Sequence, residues 1–205
     1  IRTDIRRRVD PFTDLCIRQG VTRVKEWSTS PSEYRASMYR LFSLGMKEHL
    51  AYGKKVTFAS PEAGKIPDNA GEILTNGVRG GHDYAYNWLT FSGQNLDATI
   101  DLEEVKEVRR IESAYFQYGF WLRLFPVKVE YFVSEDGENF ELVGSIQNTL
   151  PIDQYGGQQR DFIADFTPRK ARYVRVVAHN LGNTPEWHPG AGRPANMSID
   201  EIVVE

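Results

Sequence analysis

Between Glu186 and Pro194 the chain sets a carboxylate, an indole, an imidazole and a guanidinium (Glu186, Trp187, His188 and Arg193) into one loop, punctuated by Pro189, Gly190, Gly192 and Pro194. This composition suits non-covalent recognition of a sugar. A flat apolar face stacks on a pyranose ring, and fixed donors and acceptors hold its hydroxyls. Prolines and glycines restrict the loop so that less order is lost on binding. Two further segments could share the task. Residues 81–87 carry His82 and Tyr84. Residues 116–123 carry Phe116, Tyr118, Phe120 and Trp121, four aromatic residues in six positions. Trp121 has two readings, a facing aromatic for the ligand or a plug over the end of the core.

Catalysis finds no comparable constellation. Glycoside hydrolysis needs two carboxylates flanking a cleft. Asp200 and Glu201 are adjacent on a strand-like run and so point to opposite faces. Glu103 and Glu104 fall in a polar turn. Gly-x-Ser-x-Gly, phosphate-loop and His-Glu-x-x-His patterns are absent from the sequence. His49, His82, His179 and His188 are scattered along the chain. The expectation is a binding module and not an enzyme.

The elements that must position these residues follow from periodicity. Leu96, Ala98, Ile100 and Leu102 alternate with polar residues. Val127, Val129, Tyr131 and Val133 alternate with Lys128, Glu130 and Phe132. Tyr173, Arg175 and Val177 alternate with Val174, Val176 and Ala178. Phe162, Ala164, Phe166 and then Ile199, Glu201, Val203 form further runs. Period two marks half-buried strands. Turns are expected at Glu135-Asp136-Gly137, Gly156-Gly157 and Thr167-Pro168. Short strands with polar turns predict a mainly β, antiparallel sandwich. Three loops are long, about residues 60–72, 76–88 and 180–196, and long ordered loops are usually functional.

The first 53 residues read differently. Ser30-Pro31-Ser32-Glu33 is a helix start, with a capping serine and a proline at the first helical position. Tyr34, Met38, Leu41, Phe42 and His49 then recur at helical spacing, with Gly53 as the stop. A shorter helix is expected from Pro11 to about Arg18. The expected organisation is a helical segment over 1–53, the tail of an upstream domain, and a β-sandwich over 54–205. Residues 1–55 hold twelve Lys/Arg against six Asp/Glu, whereas the rest hold thirteen against twenty-two. The basic charges are scattered among apolar helix positions, so nucleic acid is not the expected partner. No run approaches the length of a membrane helix. Cys16 is the one cysteine, which rules out an internal disulfide and a Cys/His metal cluster.

Several motifs together carry a resemblance. They are Leu74-Thr75-Asn76-Gly77-Val78-Arg79-Gly80, Trp88, Ala98-Thr99-Ile100-Asp101-Leu102, the hairpin from Val127 through Ser134-Glu135-Asp136-Gly137 to Phe140, Ala171-Arg172-Tyr173-Val174-Arg175-Val176, and Ile199-Asp200-Glu201-Ile202. In this order they resemble the coagulation factor 5/8 type C, or discoidin-like, jelly roll, a superfamily that includes the family 32 carbohydrate-binding modules. The resemblance spans Lys54 to Glu205. The Glu186–Gly192 segment further resembles the C-terminal module of bacterial family 20 β-N-acetylhexosaminidases (chitobiase-like proteins).

The resemblance implies a sugar held on loops at one end of the sandwich, with N-acetylhexosamine- or galactose-type glycans as partners. Trp187 would stack. His188 and Arg193 would hold hydroxyls, with Glu186, His82 and Tyr84 nearby, and Tyr118 or Trp121 would face them. It places Trp88 in the core. It implies a structural Ca²⁺ held by the Leu74 carbonyl, Asn76, Asp83 and Glu201, although Asn76 stands where an aspartate is usual; otherwise Glu201 would simply be exposed. It implies a parent glycan-degrading enzyme whose catalytic domain is a partner, and an extracytoplasmic bacterial setting. The competing expectation is a structural or protein-interaction domain without a sugar site.

Overall fold

Alternation decides the strands, and the computed structural model shows them in residues 49–59, 66–80, 87–153 and 156–205, the part of the chain it describes. They are β1 (Lys55–Phe58), β2 (Leu89–Ser92), β3 (Leu96–Tyr118), β4 (Lys128–Ser134), β5 (Glu141–Gln147), β6 (Gly157–His179) and β7 (Asn196–Val204), with one helical turn, α1 (Ala70–Ile73). Alternation puts one face of each strand in the core, although Val127, expected with the β4 set, is exposed just before that strand. On β6 the structure decides for the Val174 set over the Tyr173 set. Leu96, Ala98, Ile100 and Leu102 on β3, Val129, Tyr131 and Val133 on β4, and Val174, Val176 and Ala178 on β6 all join one core. The helices expected between Pro11 and His49 lie outside the described residues. His49–Gly53, counted with that segment from the sequence, form turns packed on the sandwich, with Ala51 fully buried.

Every pairing is antiparallel. The first part of β3 pairs with β1 and with the second part of β6, and β4 and β5 continue that layer. The second part of β3 pairs with the first part of β6 and with β7, and β2 closes that layer. β3 and β6 therefore serve both layers. They pass between them through register breaks at Asp101/Lys106 and Val108/Arg110. The turn expected at Thr167-Pro168 is instead one of these breaks, inside β6. Pro168 donates no backbone hydrogen bond, and an irregular stretch tolerates it where a regular ladder would not. At the corner Glu103 takes a left-handed φ of 71°, and Arg172 clamps Asp101 through two bonds of 2.8 and 2.9 Å.

The layers face each other across side chains of β4 and β5. Tyr131 of β4 donates to the Phe162 carbonyl at 2.7 Å, leaving Ser113 to donate to its oxygen at 2.6 Å. Both partners, one acceptor and one donor, lie in the opposite layer, so the buried phenol is satisfied only when the sandwich is closed. Gly144 of β5 lies so near Ala164 that a Cβ on it would come within 2.4 Å of the alanine methyl. β7 lies between β2 and β3 and is buried on both faces from Met197 to Val204. That position takes Asp200 and Glu201 out of water, contrary to the exposed Glu201 that the sequence left open.

Candidate functional site

The end of β3 runs into the first candidate loop. Tyr118 pairs with Arg123 across the four residues between them, and Tyr118 N–H donates to the Arg123 carbonyl at 2.9 Å. Gly119–Trp121 form a single 3₁₀ turn, and Leu122 closes it at φ 64°, ψ 11°. A leucine in the left-handed region costs about 1–2 kcal/mol, so its surroundings must enforce it. Two do. Leu122 N–H donates back to the Gly119 carbonyl at 3.3 Å, and the Leu122 carbonyl accepts from Asn196 at the start of β7 at 2.8 Å. The turn leaves Phe120 and Trp121 outside, 56% and 57% exposed, with rings edge to face at 5.4 Å.

The second loop seats itself on this turn. Thr184 and Arg193 close its base, with the Thr184 N–H donating to the Arg193 carbonyl at 2.8 Å. His188 is only 3% exposed. Gly190 N–H donates to its Nδ1 at 2.8 Å, which makes Nδ1 the acceptor and leaves Nε2 to donate to the Gly119 carbonyl. Gly190 packs on Leu122 so closely that a Cβ would lie 2.4 Å from the leucine Cδ2. The histidine expected to hold a sugar hydroxyl instead fastens the two loops. Both ring nitrogens are spent within the protein, so burial and bonding remove it from the contact set.

Fastened together, the loops carry three exposed aromatic rings. Trp187 is 45% exposed and rests its edge on His188 at 5.7 Å. Glu186 and Arg193 are exposed on the same loop. Tyr118 is half-buried, stacked on Phe116 at 6.3 Å and 13°. Phe116 in turn meets Trp88 at 5.3 Å. Trp88 packs against Gly80 and Phe116 but is half-buried and outside the core cluster, not the core residue expected. Trp121 is resolved in favour of exposure. Phe120, counted in the aromatic cluster but not among the contact residues, is as exposed as Trp121. His82 and Tyr84 lie outside the described residues.

A sequence-family comparison matches the F5/8 type C domain over residues 57–197. The chain belongs to that family. A search of the curated proteins finds no match for this F5/8 type C domain. Among solved structures it resembles chitosan-binding module 1 from the chitosanase/glucanase of Paenibacillus sp. IK-5, at 17% identity over 77% of this chain and 98% of that one, with a TM-score of 0.46. It also resembles two Clostridium perfringens domains. CpGH89CBM32-5, in complex with GalNAc-β-1,3-galactose, is 19% identical over 77% of this chain and 99% of that one, with a TM-score of 0.46. CpGH89CBM32-4, in complex with GlcNAc-α-1,4-galactose, is 14% identical over 76% and 92%, with a TM-score of 0.47.

The loop from Leu74 to Gly80 lies along β7 in this F5/8 type C domain. Arg79, its side chain 12% exposed, lies among three carboxylates. It bonds Glu112 and lies 3.6 Å from Asp161 and 3.7 Å from Asp200. Asp200 also accepts the Gly80 N–H at 2.7 Å. Burial pulls the Arg79 pKa down, but Asp200, Glu112 and Asp161 outweigh it and hold the guanidinium above the usual arginine value. The sequence showed Arg79 within a motif, but not that the motif is pinned by a buried ion cluster.

The calcium ligands implied by the family can be tested against these contacts. The Leu74 carbonyl accepts the Ile202 N–H at 2.8 Å. Asn76 Oδ1 accepts the Val78 N–H at 2.8 Å, and Asn76 Nδ2 donates to Asn87 at 3.1 Å. Glu201 Oε1 accepts the Gly77 N–H at 3.1 Å and has His49 Nε2 at 3.1 Å. Calcium takes six to eight oxygens, several of them anionic. Leu74, Asn76 and Glu201 offer one formal charge and four oxygens, of which only Glu201 Oε2 lacks a donor, so these three residues alone fall short of such a shell. Asp83 lies outside the described residues.

Proposed function

We propose that this F5/8 type C domain is a non-catalytic carbohydrate-binding module of a bacterial glycan-degrading enzyme of the chitobiase type, acting outside the cytoplasm. Its ligand is an N-acetylhexosamine- or galactose-type glycan, and its second partner is the catalytic domain of the parent enzyme. The observation that carries the reading is the pair of bonded rim loops that keep Phe120, Trp121 and Trp187 in solvent. Exposed aromatic side chains grouped at a rigid rim signal binding. Here the rigidity comes from the His188 bonds and the Gly190–Leu122 contact.

In this reading Trp187 stacks on the ring, Arg193 and Glu186 hold hydroxyls, and Trp121, Phe120 or Tyr118 provides the facing surface. His188 fixes the platform from beneath. One stacked ring contributes about 1 kcal/mol by analogy with aromatic pairs. A shallow site of this kind binds weakly, with a Kd of roughly 0.1–1 mM, or about 4–5.5 kcal/mol. Tethering to an enzyme turns weak affinity into useful residence on a polymer.

A second reading has one observation in its favour. With His188 turned inward, the rim is more apolar than the sequence implied, and such a patch could dock a protein neighbour. Calorimetric titration of the chain with N-acetylglucosamine, galactose and a glycan array separates the two. Binding that falls at least about tenfold in Trp187→Ala supports the sugar site, tenfold being about 1.4 kcal/mol. Absence of saccharide binding by the unaltered chain overturns it in favour of protein docking.

A further inference from the structure

His49 precedes the region matched to the family, which begins at residue 57, yet its side chain is almost fully buried against Glu201. The backbone delivers it there. Leu50 N–H donates to the Val204 carbonyl at 2.8 Å, and Gly53 N–H to the Thr75 carbonyl at 2.7 Å. Thr75 Oγ donates to the Lys54 carbonyl at 3.0 Å. Tyr52 meets the imidazole edge to face at 6.2 Å and 79°. The stretch from His49 to Lys54 is thus stitched to the 74–77 loop on one side and to the end of β7 on the other.

Glu201 is short of partners at this junction. Oε1 takes the Gly77 N–H, but Oε2 is buried with no hydrogen-bond donor among the described residues. A buried carboxylate needs a positive or hydrogen-bonding neighbour. The group that lies against this carboxylate is the imidazole, its Nε2 3.1 Å from Oε1, where the family resemblance would put a divalent ion. We propose that His49 takes the place of the structural cation. It braces Glu201, which itself holds the Gly77 N–H, while Gly53 and Lys54 bond Thr75, so β7 and the 74–77 loop are joined and the domain folds and stays folded without calcium. Asn76 is consistent with this. An amide in place of a carboxylate is tolerable where no dication needs neutralising.

The test is thermal unfolding of the full chain with EDTA or with about 10 mM calcium, well above the ~1 mM of weak extracellular sites, together with calcium titration by calorimetry. The unaltered chain should show the same Tm in both and no binding heat. His49→Ala and His49→Asp empty the position or add an oxygen ligand. Both should gain calcium binding, with Tm rising by about 3 °C or more, as expected for ~1 kcal/mol of linkage in a domain of this size. If His49→Ala is unfolded in EDTA, recovery of its β-sheet circular dichroism on adding calcium counts as the same result. His49→Gln, which keeps the bulk of the ring, is the milder variant should neither fold. Calcium binding by the unaltered chain overturns the proposal. So do folded variants as indifferent to calcium as the unaltered chain. Saccharide titration in EDTA is read separately, so failure here leaves the rim site untouched.

Discussion

His188 and Gly119 lie 69 residues apart in sequence, and a hydrogen bond from the imidazole Nε2 to the glycine carbonyl joins the two loops that carry the exposed aromatic rings. The same ring accepts the Gly190 N–H through Nδ1. One buried side chain thereby sets the geometry of a surface it does not itself reach.

His188→Ala should therefore lower stability and saccharide affinity together. The half-buried Gly190 N–H loses its acceptor, and the buried Gly119 carbonyl keeps only the 3.3 Å bond from Leu122. Leaving a buried polar group unpaired costs about 1–3 kcal/mol before relaxation. Trp187→Ala removes a half-exposed ring and should weaken saccharide binding with little change in stability. Urea unfolding and calorimetry on the two variants check this. If His188→Ala binds sugar as well as the unaltered chain, the fastening role is wrong.

Arg79→Met should be among the more damaging single changes in the domain. It keeps side-chain length but removes the positive charge that Glu112, Asp161 and Asp200 share, while Arg110 stays 3.0 Å from Glu112. Breaking a buried ion cluster by removing one partner costs roughly 3–5 kcal/mol. A urea midpoint close to that of the unaltered chain would contradict the buried-cluster account.

Acid should destabilise the domain through its surface clamps. The hydrogen bond from Arg172 holds Asp101 below the usual carboxylate value. The bond from Lys128, and then that from His179, does the same for Glu130. A lowered folded pKa means fewer bound protons in the folded state. Stability is thus full above the unfolded values, about 3.9 and 4.3, and is lost as pH falls through the lower folded ones. Glu201 has the opposite sign, since burial raises its pKa. Urea midpoints should drop below about pH 4. The drop should be shallower in Asp101→Asn and steeper in Glu201→Gln. A midpoint that is flat down to pH 2 would refute the assignment.

What the sequence determined by itself is the set of strands and the place where function is concentrated. Alternating residues such as Leu96–Leu102 and Val129–Val133 have one apolar face, and period two fits that face only to a sheet. The prolines, glycines and aromatic residues of 116–123 and 184–194 mark loops, because they break that period. Tertiary structure alone decided which way individual side chains turn. His188 points inward because a carbonyl 69 residues earlier needs a donor. Glu201 is buried because β7 is enclosed on both faces, a property of strand order and not of the strand's own pattern. The Thr167-Pro168 turn became a break within β6 because β6 must cross from one layer to the other. Local periodicity fixes what a residue's neighbours on the chain require. Burial and hydrogen bonding are settled by residues brought together from far apart, and those become neighbours only when the sandwich closes.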